Sequence, residues 1–271
     1  MTDRGIKRNW NETIHSIALH DFENQNIDWV GWFKWSEEFF AKHNLEPNRG
    51  GITGTSKSIG YKAFTNRLKK ADLASLRDLS ISCQRAKDCH FEDFFAYTSI
   101  EAYRQDQRYT TTFREIQVLC IDDEYLPKNL ALYKELLLEY QQFTKAKYGY
   151  FYTQRLGDVP SLYPTGSTIA LYDLSEEEER IYHKWQDKYM SNEDYHTGDL
   201  RQVYELNLLS NEHLEREVMA GVNFHDWINA ENRGIITEEK PGIWIWQVEE
   251  SNIIAVNNKL KNTGILLAWY N

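Results

Sequence analysis

Hydrophobic positions recur at helical spacing near the N-terminus and as short runs further along the chain. In DWVGWFKWSEEFFAKH, residues 28–43, Val30, Phe33 and Phe40 follow a helical period together with several tryptophans. A basic amphipathic pattern predicts a second helix over 67–76. Three short runs rich in β-branched and aromatic residues then predict strands: Leu79 to Cys83, Phe94 to Ile100 and Phe113 to Ile121.

Two stretches share the order strand, helix, strand. The strand at 113–121 is followed by a predicted helix over 128–144 and a strand over 148–154. Near the C-terminus, a strand over 242–248 is followed by a predicted helix with Ser251 as its N-cap and Gly264 as its stop. The last strand of this second unit is predicted over Ile265 to Trp269.

These units predict an α+β fold, with a mostly antiparallel sheet, helices packed on one face of it and two β-helix-β-containing halves. In IWIWQV, the isoleucines and the tryptophans Trp244 and Trp246 point to opposite faces of a strand. Because both faces are apolar, we expect a central strand that is covered on both sides.

The chain is expected to form a single compact domain over 1–271. The Gly/Pro-bearing stretch 157–166 is the best candidate for a boundary, which would divide the chain into lobes 1–156 and 167–271. Residues 47–60, PNRGGITGTSKSIG, are expected to form a loop, and they lack the GxxxxGK[ST] pattern of a phosphate-binding loop.

Charge changes the picture of function. The formal net charge is −10, and Lys and Arg nearly balance Asp and Glu in residues 1–120, so the excess of acid arises in residues 121–271. An acidic surface disfavours nucleic acids and anionic membranes and suits a basic protein partner. No apolar run approaches the about 20 residues that span a bilayer, and the N-terminus lacks a signal-peptide core, which predicts a cytoplasmic protein.

Two acidic clusters are the candidate partner-binding residues. In DLSEEEER, Ser175 fits an N-cap, but the run Glu176, Glu177, Glu178 and Glu179 exceeds what capping a helix requires. In CIDDEYLP, Asp122, Asp123 and Glu124 directly follow a strand. Carboxylates at such a turn either bind a metal, act as acid and base, or are simply solvated.

Cysteines and histidines give no metal-site pattern. Cys83, Cys89 and His90 in CQRAKDCHF lack C-x2-C spacing, and no complementary pair follows them. His213 and His225 are not part of an HExxH motif and are expected to cap helices or pack. We therefore predict no catalytic residue, no metal and no cofactor. The aromatic helix at 28–43 is apolar nearly all round, so it is either buried or forms a homodimer or partner interface.

The C-terminal part of the chain resembles a known class of proteins. LRQVYELNLLSNEHLEREVMAGVNFHDWI, then RGIITEEKPGIWIWQV, then a helix and TGILLAW, over roughly residues 198–271, are similar to bacterial immunity proteins of contact-dependent and type VI secretion toxin systems. The resemblance implies an acidic, cytosolic α+β protein that binds and blocks one cognate toxin, without catalytic residues.

The sequence thus favours a non-enzymatic immunity protein that neutralises a toxin through an acidic surface. Two alternatives stay open. One is a metal-assisted hydrolase of an unrecognised family that uses Asp122 and Asp123, and the other is a homo-oligomeric interaction protein joined through the aromatic helix.

Overall fold

The computed structural model describes residues 11–22, 26–54, 58–85, 93–102, 115–166, 180, 185, 198–231 and 233–268. Over these residues the chain builds a large antiparallel sheet with helices packed on it, as predicted. The strands are β1 Thr13–His20, β2 Arg49–Ile52, β3 Ile59–Gly60, β4 Asp78–Gln84, β5 Phe94–Ala102, β6 Glu115–Asp122, β7 Tyr148–Arg155, β8 Leu206–Ser210, β9 Glu217–Met219, β10 Val222–Asn223, β11 Ile235–Lys240 and β12 Ile243–Gln247. The helices are α1 Trp29–Lys42, α2 Tyr61–Leu68, α3 Leu130–Gln141, α4 Asn211–Leu214, α5 Phe224–Asn229 and α6 Ile253–Leu260.

Strand β1 lies in the middle of the sheet and organises it. The order of the 10-stranded sheet is β11-β12-β8-β7-β1-β6-β5-β4-β2-β3, and β9 and β10 form a separate hairpin. Because β6 and β7 both pair antiparallel with β1, they run parallel to each other, and α3 connects them across β1. The predicted order of strand, helix and strand over 113–154 is therefore confirmed, with β1 inserted between its two strands.

One face of the sheet is covered by α1, α2 and α3. Asp28 caps α1 by accepting the N–H of Gly31 at 2.8 Å, and Asn129 caps α3 by accepting the N–H of Leu132 at 3.2 Å. The rings of Trp29, Trp32, Phe39 and Phe40 are buried on this face. The aromatic helix therefore packs on its own sheet, which is one of the two explanations that its pattern allowed.

Helices also cover the opposite face, which corrects the expectation of a sheet covered by helices on one face. Residues of α4, α5 and α6 form a second core there together with Trp185, Leu200 and the segment 265–268. Tyrosines on β7 extend this core across the sheet, and the ring of Tyr150 stacks on that of Tyr204 at 4.2 Å between centroids. Both faces of this antiparallel sheet thus carry a hydrophobic core.

The two tryptophans of β12 have structural contacts, but the strand is not central. Ile245 belongs to the first core and Trp246 to the second, which confirms the predicted alternation. The indole N–H of Trp246 donates to the carbonyl of Arg233, and that of Trp244 donates to Asn211 Oδ1, both at 2.8 Å. β12 is the last strand but one, because β11 pairs with its outer side.

The structure corrects three further predictions of local structure. Residues 47–60 contain β2 and β3 instead of a loop. Gly50 lets the ring of Phe64 pack directly on β2, since a Cβ at position 50 would lie 2.3 Å from that ring. The second helix spans 61–68 and ends before a turn and a short 3-10 segment at Leu73–Ser75. The N-cap of α6 is Asn252 rather than Ser251, because a 3-10 turn over Glu250–Asn252 precedes the helix.

The predicted final strand does not join the sheet. Over 265–268 the backbone pairs with residues 200–201, and Leu200 and Leu266 form an isolated parallel bridge. Trp269 lies outside the described residues. The sheet draws strands from both 1–156 and 167–271, and the boundary at 157–166 stays a prediction. None of the helices within the described ranges has the length and apolar character needed to cross a bilayer.

Candidate functional site

Acidic side chains collect where β1 begins and where β4, β6 and β7 end. The register places Ile14 beside Asp122, and Thr13 beside Arg155, so the ends of these strands meet at one border of the sheet. We call this border the acidic end. It comprises Glu12, Asp93, Asp122, Asp123, Glu124, Asp158, Glu205 and Glu250, together with the cations Arg85, Lys128 and Arg155.

Arg85 is the centre of the acidic end. Its guanidinium forms ion pairs with Glu12, with Asp122 at 2.5 Å and with Asp93 at 3.4 Å, and it lies over the ring of Phe95 at 4.4 Å. The side chains of Asp122 and Asp93 are 6% and 8% exposed. One cation thus neutralises part of a largely buried set of carboxylates.

Burial and neighbouring carboxylates raise the pKa of two groups of this cluster. Burial raises the pKa of the Glu12 carboxyl, and the neighbouring carboxylates raise it further, although Arg85 lowers it. Burial and the charges of Glu124 and Asp122 likewise raise the pKa of the Tyr125 hydroxyl. Because the three carboxylates of Glu12, Asp93 and Asp122 share one guanidinium, the cluster keeps an excess of negative charge.

A turn after β6 fixes the three predicted carboxylates in different environments. Asp122 Oδ1 accepts the N–H of Glu124 at 3.0 Å, and the carbonyl of Asp122 accepts the N–H groups of Tyr125 and Leu126. This turn directs Asp122 inward, while Asp123 and Glu124 are exposed. The three residues are therefore adjacent in sequence but do not converge on one point.

Asp123 is held by a buried histidine. His15 is 2% exposed, and its Nε2 donates to Asp123 Oδ1 at 2.7 Å, since a carboxylate can only accept. The other ring nitrogen, Nδ1, lies 2.9 Å from Thr153 Oγ1. The rings of Tyr133 and Phe151 pack near the imidazole, with centroids 5.6 and 5.9 Å away. This arrangement fixes the direction of a carboxylate whose side chain is 51% exposed.

Lys128 connects the acidic end to the last third of the chain. Its ammonium contacts Glu205 at 2.8 Å and Glu250 at 3.1 Å. Partial burial disfavours the ammonium, but the hydrogen bonds to these two carboxylates prevail and raise the pKa of Lys128. The Glu250 side chain is still 76% exposed. Asp123, Glu124 and Glu250 are thus the carboxylates of this border that face solvent.

The other sequence candidates are distributed over the fold. Glu176 to Glu179 lie outside the described residues, as do Cys89 and His90. Cys83 and Cys120 are both buried and belong to opposite faces of the sheet. Within the described ranges, no three His, Cys, Asp or Glu side chains are placed to hold a metal ion. His213 closes a capping box with Ser210, and His225 packs against Trp244, as expected for structural histidines.

Sequence reasoning missed the residues that organise this site. Arg85 lies within CQRAKDCHF, where the cysteines and the histidine drew attention to a metal. His15 and Thr153 are 138 positions apart, and only the pairing of β1 with β7 brings them together. Arg85 could have been identified because it closely follows a predicted strand, as the carboxylates Asp122 to Glu124 do. No local sequence pattern identifies His15.

Comparisons with known proteins give a fold relationship and no family. No family model matches the chain, and no curated protein matches it. Among solved structures, the Pseudomonas aeruginosa T6SS protein PA0821 is similar with a TM-score of 0.55 at 12% sequence identity, over 94% of this chain and 73% of that chain. At this identity the likeness shows that the two chains share a fold.

Proposed function

We propose that this protein is an immunity protein that binds and neutralises a toxin of a type VI secretion system, without catalysis of its own. The observation that carries the proposal is the acidic end, where a fixed core of ion-paired carboxylates supports the outward-facing Asp123, Glu124 and Glu250. The shared fold with a T6SS protein and the resemblance of the C-terminal part to immunity proteins support the same function.

Electrostatics explains why such a surface suits a toxin. A toxin that acts on nucleic acids or nucleotides has a basic cleft, and opposite charge accelerates association and selects the partner. Asp123 is already held by His15, so less side-chain freedom is lost when a partner cation binds it. Glu176 to Glu179 are proposed as a further part of the contact, because they concentrate negative charge at one place in the sequence.

The test begins with the partner. The tagged protein is purified from the bacterium that encodes it, and a stoichiometric partner is identified by mass spectrometry and expressed alone and together with this chain in a heterologous host. We expect a partner that stops growth alone and is harmless in the pair. A partner that is harmless alone, or recovery of the bait only, contradicts the proposal.

The contact surface is tested with matched charge reversals. Glu124→Lys combined with Glu250→Lys changes the acidic end without touching the bond between His15 and Asp123. Glu38→Lys combined with Glu215→Lys changes the charge by the same amount at exposed positions elsewhere. We expect the first pair to weaken toxin binding by at least tenfold and the second to change it little. Equal effects of both pairs would remove the acidic end from the proposal.

A further inference from the structure

Strand β11 is an edge strand of the sheet. It spans Ile235–Lys240 and pairs with β12 on one side, while no strand of the described chain pairs with its other side. At the opposite border, β3 has 2 residues. An unpaired strand presents a row of backbone N–H and C=O groups to any extended segment that approaches it. Among the described strands, β11 is therefore the edge at which an extended segment has the longest backbone to pair with.

Most side chains of β11 are exposed, but the strand itself is held in place. Ile235 is 73% exposed, and Thr237 and Glu238 also face solvent. At the other end of the strand, Glu239 contacts Lys134 of α3 at 2.5 Å, and Lys240 Nζ donates to the carbonyl of Leu138 at 3.2 Å. These anchors mean that a partner strand meets a preformed edge and need not order it.

The pattern of side chains selects what this edge accepts. β11 reads Ile, Ile, Thr, Glu, Glu, Lys, so it is apolar at its start and carries two adjacent glutamates near its end. A second copy of the chain would bring two more glutamates to the same edge, where like charges repel. A strand with lysine or arginine opposite these glutamates is stabilised by cross-strand pairs of opposite charge, whereas a second copy is destabilised by pairs of like charge.

We propose that β11 accepts an extended segment of the toxin as an additional antiparallel strand of the sheet. Its basic side chains lie opposite Glu238 and Glu239, and apolar side chains lie opposite Ile235 and Ile236. Because the added strand runs antiparallel, its basic residues precede its apolar residues. This inference rests on the proposed function, since the occupant is a segment of that toxin; it adds a backbone-mediated contact to the acidic end.

A pair of synthetic peptides tests the chemistry of the edge on the full chain. The first peptide, Thr-Glu-Lys-Lys-Thr-Ile-Ile-Thr, is the antiparallel complement of β11, and the second, Thr-Lys-Glu-Glu-Thr-Ile-Ile-Thr, has the charges exchanged. We expect the first to slow amide hydrogen exchange at 235–240 and to bind roughly tenfold more tightly, because each cross-strand charge pair contributes about 0.2–1 kcal/mol. Equal binding of both peptides, or no protection of β11, overturns the proposal.

Two variants and the toxin itself separate this inference from the proposed function. Ile235→Lys and Glu238→Lys change exposed positions, and thermal unfolding verifies that each variant is folded, since Glu238 Oε1 also accepts the N–H of Gly242 in the turn to β12 at 2.9 Å. Each variant is expected to weaken toxin binding at least fivefold, whereas Glu38→Lys serves as the control. Suppose that Glu124→Lys with Glu250→Lys weakens the toxin complex while the β11 variants do not, and that the β11 amides exchange as fast in the complex as in the protein alone. The proposal for β11 then fails, and the proposed function stands. If no toxin binds at all, both fail.

Discussion

Replacing Arg85 with methionine tests whether the acidic end is a stabilised cluster. The guanidinium is 17% exposed and contacts Glu12, Asp93 and Asp122, whose side chains are 26%, 8% and 6% exposed. Removal of one partner from a buried ion pair costs about 3–5 kcal/mol, since the remaining charges lose their compensation. Because Glu12 is partly solvated, we expect the lower part of this range, about 3 kcal/mol at pH 7. Methionine keeps most of the contact with Phe95, which limits the loss of packing.

The dependence on pH identifies the cause. Arg85 lowers the pKa of Glu12 in the native chain, so its removal raises that pKa further above the value in the unfolded chain, and the stability deficit of the variant becomes smaller as pH falls. Urea unfolding followed by tryptophan fluorescence is therefore expected to show a smaller deficit at pH 5 than at pH 7. Arg85→Met combined with Asp122→Asn is expected to recover part of the loss. Arg155→Met, which breaks an exposed pair with Asp158, is the control and should cost less than about 1 kcal/mol.

The reasoning about Arg85 is refuted by a deficit below about 1 kcal/mol at pH 7, or by a larger deficit that is the same at both pH values. The first result would mean that solvent already screens the carboxylates. The second would mean that lost packing, and not uncompensated charge, destabilises the variant.

Three further predictions concern stability. Burial, and then the charge of Asp78 on the paired strand, raises the pKa of Glu101 from 4.5 to about 7. The native chain therefore loses stability as pH rises through this interval. In thermal unfolding, Glu101→Gln should be more stable than the native chain by up to about 3 kcal/mol at pH 8 and equally stable at pH 4.5. Gly50→Ala should cost about 2 kcal/mol or more in urea unfolding, because its Cβ would overlap a phenyl ring of α2, whereas Gly60→Ala, with nothing within 4 Å, should not be destabilising. Burial, and then the charge of Lys147, lowers the pKa of His213 to about 3, so the stability that the neutral imidazole contributes above pH 6.5 is lost as pH falls toward 3. His213→Gln should reduce the loss of stability between pH 6 and 4 by more than about 1 kcal/mol. An unchanged slope of stability against pH would show that His213 does not cause this loss.

The sequence predicts local elements well wherever one period dominates. The helices at 28–43 and 128–144 and the strand at 148–154 are confirmed within a few residues, because their apolar faces repeat over several turns or alternations. The stretch 47–60 failed because its glycines, which are typical of loops, here admit a ring of α2 against a short strand. The segment 265–268 failed because tertiary pairing with residues 200–201 replaced the predicted place in the sheet.

The strand order and the geometry of the site could not be predicted from local sequence patterns, because both depend on contacts between residues that are far apart in the sequence. β1 lies between β6 and β7, which are separated from it by about a hundred residues or more of sequence, and no propensity encodes such a pairing. The carboxylates Asp122 to Glu124 could be identified as a candidate because they follow a strand. Their different environments could not, since these depend on Arg85 and His15, which reach them only through the sheet.

The paired and the exposed carboxylates have different roles in the proposed function. If all the acidic side chains of this border faced solvent, their mutual repulsion would oppose the compact state. Arg85 compensates three of them and Lys128 two, which allows the acidic end to stay net negative at a smaller cost in stability. The side chains that remain outward stand on this fixed base, and one of them, Asp123, is oriented by a histidine that is itself buried. A partner cation thus meets a carboxylate whose position is set before the encounter, which favours tight binding of one geometry over loose attraction of any basic protein.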